Sequence, residues 1–246
     1  DLPGTYSLMA HSAEEEVARN FICFGDTDAV IVVCDATCLE RNLNLVLQTI
    51  EITDNVIVCV NLIDEAKKKH ISIDLELLSK KLGVMVVGTT ARKKKSLDAL
   101  LNNLDALIDN KAIKNPVKIN YSQHIQNAVN IIKPAVIQKQ IANIKTEWLC
   151  LKLLDYDEKL INALNDYLGY DINDDNDLKQ KIKQAHNYLK ENGIALDVLC
   201  DYIVSDIIHT AETICSDTVK YNKINYNEKD KKIDKIVTGK WTGIQG

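Results

Sequence analysis

The sequence predicts an α/β fold, a parallel sheet with helices, followed by an all-α helical domain. Three apolar runs rich in β-branched residues have the length of strands buried on both faces, and they cover residues 29–34, 56–60 and 84–88. Helical segments alternate with these runs, which predicts a parallel sheet with right-handed crossovers. Beyond residue 116, β signals almost disappear and apolar residues recur at helical spacing.

The first half of the chain alternates between helices and strands. Before the first strand, Val17, Phe21 and Phe24 stand at helical spacing. The segment after that strand is amphipathic, and further helices are expected on either side of the third strand. The predicted helices of this half cover residues 13–24, 39–52, 75–82 and 97–108. We expect residues 1–112 to form one domain.

The second half, residues 113–246, is predicted to be a helical domain that follows a boundary near residues 110–116. Pro134 should kink or interrupt the first of its helices. The acidic stretch 171–177 lacks the Gly and the final Glu of an EF-hand loop, so we interpret it as a connector with a helix N-cap. Its helical spacing is clearest at Ile125, Val129, Ile132, Val136, Leu196, Leu199, Ile203 and Ile207.

A polar motif, Asn61-Leu62-Ile63-Asp64, directly follows the second predicted strand. An Asp carboxylate at this place can accept hydrogen bonds from N1 and N2 of guanine together, while the Asn side chain bridges base and protein. Adenine presents the opposite donor pattern at that edge. Asp64 would therefore select guanine.

A second motif, Thr89-Thr90-Ala91, follows the third predicted strand. It matches an [ST]-[ST]-A element whose backbone amides meet the O6 atom of guanine. The carboxyl ends of parallel strands share one edge of a sheet, and an open α/β sheet binds its ligand there. We therefore expect Asn61 and Asp64 to lie beside this motif.

A third motif, Asp1-Leu2-Pro3-Gly4, opens the sequence. D-x-x-G is the element of P-loop GTPases that contacts magnesium and the γ-phosphate. In that role Asp1 would hold Mg²⁺ through a water and the Gly4 amide would donate to the γ-phosphate. A phosphate-binding G-x-x-x-x-G-K-[ST] segment occurs nowhere in the 246 residues. The expected fold is therefore a truncated P-loop GTPase-like sheet, with three strong strands where the complete fold has six.

Each motif alone has a structural alternative. Asp1 and Gly4 could belong to an ordinary turn, and Asn61 and Asp64 to a strand-to-helix turn with a polar cap. Thr89 and Thr90 could cap a helix that starts near Ser96. The correct order, spacing and strand context of all three favour a single guanine site.

Four longer segments extend the match beyond these short motifs. They are DLPGTYSL at residues 1–8, DATCLERNL at residues 35–43, EWLCLKLL at residues 147–154, and residues 232–244. All four resemble segments of FeoB, the family of bacterial ferrous iron transport proteins. Leu62 also stands where that family keeps an apolar residue instead of the usual Lys.

The resemblance implies a cytosolic G domain without its P-loop part, followed by a GDI-like helical domain that leads toward the membrane. It implies that the complete protein binds GTP or GDP with Mg²⁺ and couples GTP binding and hydrolysis to Fe²⁺ uptake. The implied partners are guanine nucleotide and the transmembrane region of the same transporter, on the cytoplasmic side of the inner membrane. The resemblance leaves oligomerisation open.

Composition argues against nucleic acid as a partner, because the net charge is −5 and the basic runs are short. No stretch approaches the roughly 18 consecutive apolar residues of a membrane helix, and no signal peptide is visible, so this piece is expected to be soluble. The seven cysteines are scattered without a C-x-x-C pair, which favours buried, reduced thiols. Core packing is expected for Cys34 and Cys38.

Two functions remain open: the nucleotide-binding portion of an iron transporter, or a nucleotide-free interaction module derived from a GTPase. We expect the 246 residues alone to bind GTP weakly, with a dissociation constant on the order of a millimolar, because phosphate binding depends mainly on the P-loop. Thr5 stands where Ras-like proteins keep a water-positioning Gln, so no catalytic residue is predicted. The strand at 29–34 should present an unpaired edge.

Overall fold

The computed structural model describes residues 2, 4–5, 7–9, 12–90, 92, 94–109, 115–141 and 144–221. Its helices are α1 Ala13–Phe24, α2 Leu39–Ile52, α3 Ile63–Lys68, α4 Leu75–Leu82, α5 Lys94–Ile108, α6 Gln123–Gln138, α7 Thr146–Asp155, α8 Glu158–Leu168, α9 Asn176–Glu191 and α10 Leu199–Thr218. Its strands are β1 Val30–Asp35, β2 Val56–Asn61, β3 Ile71–Ile73, β4 Met85–Gly88 and β5 Val219–Tyr221. No helix within the described ranges is long and apolar enough to cross a membrane.

Three of the strands form a parallel sheet in the order β1-β2-β4. In its register Val30 pairs with Val56, and Ile57 pairs with Met85. β2 is the central strand and its first five residues are buried, as its unbroken apolar run predicts. The α/β fold with a parallel sheet is therefore confirmed, and so are the helical bounds predicted at 13–24, 39–52 and 75–82.

The sheet is covered unevenly on the face that α5 packs against. There Ile57 and Leu107 belong to a small buried cluster. Ile31 lies beside Ile57 in the register and shares this face, as does Val33, yet these two side chains are 37% and 62% exposed. β1 is an outer strand of the sheet, and the described residues leave its half of this face open to solvent.

Helix α1 buries a different face from the one its apolar spacing predicts. Val17 and Phe21 are 54% and 50% exposed, while Arg19 and Ile22 are buried. The reason is tertiary: α1 contacts α8 and α2, and the ion pair between Arg19 and a residue at the start of α8 turns that face inward. Of the three aromatic and aliphatic positions predicted, Phe24 does pack, with its ring 5.2 Å from a tyrosine ring of α8.

The later helices pack on one another and also on the sheet half of the molecule. α6 contacts α7 and α9, whereas α10 crosses to α2 and α4. Ile203 of α10 and Leu47 of α2 belong to the same hydrophobic cluster. The division of the chain between residues 112 and 113 stays a prediction, and the two halves share an extensive interface.

A second, two-stranded sheet joins these halves in a way that the sequence did not predict. β3 pairs antiparallel with β5, so that Ile71 lies opposite Tyr221 and Ile73 opposite Val219. The N–H of Asp74 donates to the carbonyl of Thr218 at 2.9 Å and extends the connection by one rung. The end of α10 is therefore attached to the segment that follows α3.

The connector before α6 is held at Gly83, the C-cap of α4. Gly83 has a φ of 68°, the left-handed conformation in which glycine is favoured. The N–H of Asn115 donates to the Gly83 carbonyl at 3.1 Å, and the N–H of Val117 donates to the Leu82 carbonyl at 2.9 Å. A Cβ atom on Gly83 would lie 1.7 Å from the carbonyl oxygen of Asn115. Any other residue here would displace the connector.

Two local predictions in the helical part have different outcomes. The acidic stretch is a capped connector, because Asp171 and Asp175 accept hydrogen bonds from backbone N–H groups two and three residues ahead of them. Pro134 does not interrupt its helix, since α6 runs through it to Gln138. The carbonyl that loses its partner at a proline belongs to the residue four positions earlier, here the exposed Asn130, where water can replace it.

Candidate functional site

The ends of the three parallel strands bring two of the predicted motifs to one edge of the sheet. Asp35 pairs with Asn61 at the ends of β1 and β2, and Val60 pairs with Gly88 near the ends of β2 and β4. The N–H of Thr89 continues this ladder by donating to the Val60 carbonyl at 2.8 Å. The residues that follow β2 and β4 are therefore neighbours in space, as the strand order requires.

Thr89 holds the side chain of Asn61 in place by a hydrogen bond. Its hydroxyl donates to Asn61 Oδ1 at 3.1 Å and lies 3.3 Å from Cys59 Sγ. Thr89 is only 2% exposed, so its side chain is an internal support instead of a ligand-contacting group. This hydrogen bond fixes which end of the Asn61 amide faces the sheet.

Asp64 is positioned by an unusual turn. Leu62, the N-cap of α3, has a φ of 62°, a left-handed conformation that costs a non-glycine residue about 1–2 kcal/mol. The N–H of Ile63 donates to the Thr89 carbonyl at 3.3 Å and ties this turn to the end of β4. Asp64 then falls in the first turn of α3, where its Oδ1 accepts from the Thr90 hydroxyl at 3.4 Å.

Ser96, which the sequence suggested only as a helix start, closes the loop after β4. Its hydroxyl donates to the carbonyl of Thr90 at 2.9 Å and accepts from the N–H of Thr90 at 3.3 Å. In this structure the Thr90 amide is thus occupied by Ser96. In a single sequence, a serine a few residues after two threonines does not by itself indicate that it will bond to their backbone.

A cleft of about 300 Å³ lies at the same edge of the sheet, beside Asn61 and Leu62. Thr5 and Asn42 also line it, which places the segment next to Gly4 at this cleft. Asn42 Oδ1 accepts from the N–H of Asp35 at 2.5 Å and so holds the end of β1 against α2. The Asp35 carboxylate is engaged by its own turn, because it accepts from the N–H of residue 37 at 2.7 Å.

Two cysteines line this cleft, and the pKa of each thiol is raised above its usual value. Burial raises the pKa of Cys34 to about 12, and burial followed by the nearby Asp35 carboxylate raises the pKa of Cys38. Cys34 is fully buried as expected, but Cys38 is exposed at the N-cap of α2, so core packing was wrong for Cys38. Its place at the end of a strand, where the chain turns into a helix, accounts for the exposure.

The remaining predicted site residues have a mixed status. Gly4 is exposed, and nothing lies within 4 Å of the position that a Cβ atom would take. Asp1 and Ala91 lie outside the described residues. Among the described residues, no group of three or more His, Cys, Asp or Glu side chains is arranged to hold a metal ion. The Mg²⁺ assignment therefore rests on Asp1 and stays a prediction.

Two family models match the two halves of the chain. The model described as ferrous iron transport protein B covers residues 1–104, and the model described as the FeoB cytosolic helical domain covers residues 121–220. The chain belongs to the FeoB family. It carries the G region of the FeoB cytosolic part together with the helical domain that follows it.

Curated relatives of this FeoB chain are named Fe(2+) transporters. The protein from Campylobacter jejuni is 40% identical over 113 residues, which are 46% of this chain and 18% of that protein. The protein from Escherichia coli K12 is 35% identical over 161 residues, which are 64% of this chain and 20% of that protein. The chain therefore spans about a fifth of the length of these relatives.

Solved structures of FeoB cytosolic domains have the same fold. The GMPPNP form from T. maritima has a TM-score of 0.69 and 25% identity, and the match covers 89% of this chain and 80% of that one. A mutant S. thermophilus NFeoB bound to mGDP has a TM-score of 0.72 and 26% identity, with 88% and 78% covered. The L. pneumophila domain has a TM-score of 0.67 and 27% identity, with 89% and 79% covered.

Proposed function

We propose that this chain is the base-reading part of the guanine-nucleotide site of a ferrous iron transporter, whose complete protein couples GTP binding and hydrolysis to Fe²⁺ uptake. One observation carries the proposal: Asn61 contacts Thr89, and Asp64 contacts Thr90, across the carboxyl edge of the sheet. Two motifs that are far apart in sequence thus meet where an open α/β sheet binds its ligand.

The chemistry of these groups fits guanine. The Asp64 carboxylate would accept from N1 and N2 of the base together, and the Asn61 amide would bridge base and protein. Backbone amides at Thr90 and Ala91 would approach O6, which requires the Thr90 amide to exchange its bond with Ser96 for one with the base. At the phosphate end of the nucleotide, Asp1 would hold Mg²⁺ through a water, and the Gly4 amide would donate to the γ-phosphate.

The solved relatives support this assignment through their bound nucleotides. The FeoB domains of known structure include forms with GMPPNP and with mGDP, and this chain has their fold. The proposed setting is the cytoplasmic side of the membrane, with the transmembrane region of the same transporter as partner. The helical domain would carry the nucleotide state toward that region.

The test is base selectivity in a chain extended upstream through a phosphate-binding loop. Asp64→Asn should lower GTP affinity and raise affinity for xanthosine triphosphate, because the amide of Asn cannot accept from both N1 and N2 of guanine but can donate to the carbonyl at C2 of xanthine. We expect at least about a 100-fold change in the ratio of the two dissociation constants, measured by calorimetry.

Asp98→Asn is the matched control, since Asp98 is an exposed carboxylate on α5 and the substitution should leave the ratio unchanged. Unchanged GTP affinity in Asp64→Asn would reject the assignment of Asp64. A failure of the extended wild-type chain to bind GTP at all would instead favour a nucleotide-free interaction module.

A further inference from the structure

A small cavity lies at the interface between the two halves of the molecule, away from the cleft beside Asn61 and Leu62. Its volume is about 10 Å³, which corresponds to one water-sized particle. The segment after Gly4 contributes Met9, α1 contributes Arg19, and α7 contributes Trp148 and Lys152. Two cationic side chains therefore line the same cavity.

Arg19 lines this cavity and has an unused donor. The side chain is 1% exposed, its Nη1 pairs with Asp157, and its Nε donates to Asn20 Oδ1 at 3.2 Å. Its Nη2 is buried and has no hydrogen-bond partner among the described residues. A buried donor left unpaired is unfavourable, so an acceptor in the cavity would stabilise the fold.

Lys152 is the second buried cation. It is 8% exposed, and the contact made by its Nζ is with the thioether sulfur of Met9, 3.7 Å away. A thioether is a weak acceptor. No carboxylate of the described residues lies within 4 Å of this ammonium group, although buried lysines are normally paired.

The nearby carboxyl groups leave Nη2 of Arg19 and Nζ of Lys152 without an ion pair among the described residues. Glu51 lines the same cavity, but its Oε1 accepts from the Tyr121 hydroxyl at 2.8 Å, and burial raises its pKa. Burial also raises the pKa of Asp155. Asp157 is engaged by Nη1 of Arg19. Arg19 and Lys152 thus line one cavity together with Gln48 and Glu51, and Nη2 of Arg19 has no hydrogen-bond partner among the described residues.

We propose that this cavity binds one small monovalent anion, of the size of chloride or bromide, between Nη2 of Arg19 and Nζ of Lys152. The bound anion joins α1 and the segment after Gly4 to α7. Occupancy therefore strengthens the contact between the G region and the helical domain, and it does so independently of the nucleotide site.

Trp148 provides a direct probe, because it is 5% exposed and lines the cavity. The sequence has two tryptophans, so Trp241→Phe leaves Trp148 as the only one. In this variant, sodium bromide replaces sodium gluconate at constant ionic strength while fluorescence is recorded. Bromide quenches by direct contact, so a bound ion should give saturable quenching with a half-maximum at millimolar bromide.

Lys152→Met keeps the length of the side chain and removes the charge, and it should raise the half-maximal bromide concentration at least about tenfold. Lys81→Met is the control, since Lys81 lies on α4 in an ion pair with Asp217 and outside the cavity. It should leave the titration unchanged.

Quenching that rises linearly with bromide, or equal quenching in Lys152→Met, would mean that the cavity holds only water and would overturn the proposal. Should Lys152→Met not fold, crystals of the unmodified chain grown in sodium bromide decide the question. An anomalous bromide peak in contact with Arg19 Nη2 and Lys152 Nζ is expected. Absence of that peak would also overturn the proposal.

Discussion

Single polar side chains hold the interface between the G region and the helical domain together. The Glu51 carboxylate on α2 accepts from the Tyr121 hydroxyl just before α6, and the Lys145 ammonium donates to the carbonyl of Ile50 at 2.6 Å. Burial outweighs these contacts for Glu51, because its pKa is raised although Tyr121, Lys152 and Lys145 all act to lower it. Glu51 therefore makes folding dependent on pH.

Glu51→Gln should increase stability at neutral pH. A carboxyl group whose pKa is higher in the folded state favours folding at low pH, and this contribution is lost as the pH rises through the folded pKa. The amide of Gln can still accept from Tyr121 without the cost of a buried charge. Urea unfolding in sodium gluconate should show the variant more stable at neutral pH, with the difference shrinking as the pH falls toward the ordinary pKa of a glutamate.

Glu147→Gln serves as the comparison, because the pKa of Glu147 is lowered, chiefly by its hydrogen bond with Lys133. That variant should be no more stable than the wild type at neutral pH. Equal stability of Glu51→Gln and wild type across the whole pH range would contradict a raised pKa for Glu51.

Among the elements, the short β3–β5 sheet has the largest effect on how the two halves are connected. Ile71 is 4% exposed and lies in the main hydrophobic cluster. Ile71→Ala should lower the free energy of unfolding by about 2–4 kcal/mol through loss of a buried side chain. The same change should speed hydrogen exchange at Val219 and Tyr221 more than in the middle of α9, as measured by mass spectrometry.

Ser72→Ala is the matched control on the same strand, because Ser72 is exposed and its hydroxyl makes a long hydrogen bond of 3.4 Å with the Lys220 carbonyl. It should change stability by no more than about 0.5 kcal/mol. Unaltered exchange at β5 in Ile71→Ala would show that the pairing is independent of the core below it.

Elements with long, continuous apolar patterns were predictable, whereas those set by distant contacts were not. In β2 and α2 the spacing of the many apolar positions fits a single type of secondary structure, so the local sequence predicts both elements. β3 and β5 have three residues each, which is too short to show the alternating apolar pattern of a strand. Their pairing joins positions far apart in the chain. The buried face of α1 depends on Arg19, whose partner Asp157 is the N-cap of α8.

The candidate site follows the same division. Asn61, Asp64, Thr89 and Thr90 were predictable because they lie at or just after the ends of apolar strands, and strand order brings their backbones together. The supporting role of Ser96 depends on how a loop folds back on itself. Whether these residues read guanine is a prediction that the Asp64→Asn experiment addresses.

At the scale of the whole molecule, the helical part is expected to fold alone but with reduced stability. Residues 116–221 keep the contacts of α6 with α7 and α9. They lose the surface that α10 shares with α2 and α4, and they lose β3 as the partner of β5. The isolated fragment should therefore give a helical circular dichroism spectrum and melt cooperatively at a lower temperature than the 246-residue chain.

Introducing Ile203→Ala into both the fragment and the complete chain separates packing within the helical part from packing of the helical part on the sheet half. Ile203 is fully buried in the complete chain and belongs to the hydrophobic cluster that the two halves share. The substitution should destabilise the complete chain more than the fragment. A fragment with a random-coil spectrum would show that the helices depend on the sheet for folding.

The β3–β5 pairing also has a mechanical consequence. Tyr221 ends β5, and a force applied to the chain after it reaches β3 through the hydrogen bonds of β5. From Ile71 the covalent path to Asp64 runs only through α3 and the turn that follows it. A displacement of the chain after Tyr221 would therefore act on β3 and, through it, on α3, the proposed base-reading helix, as well as on α10, which precedes β5.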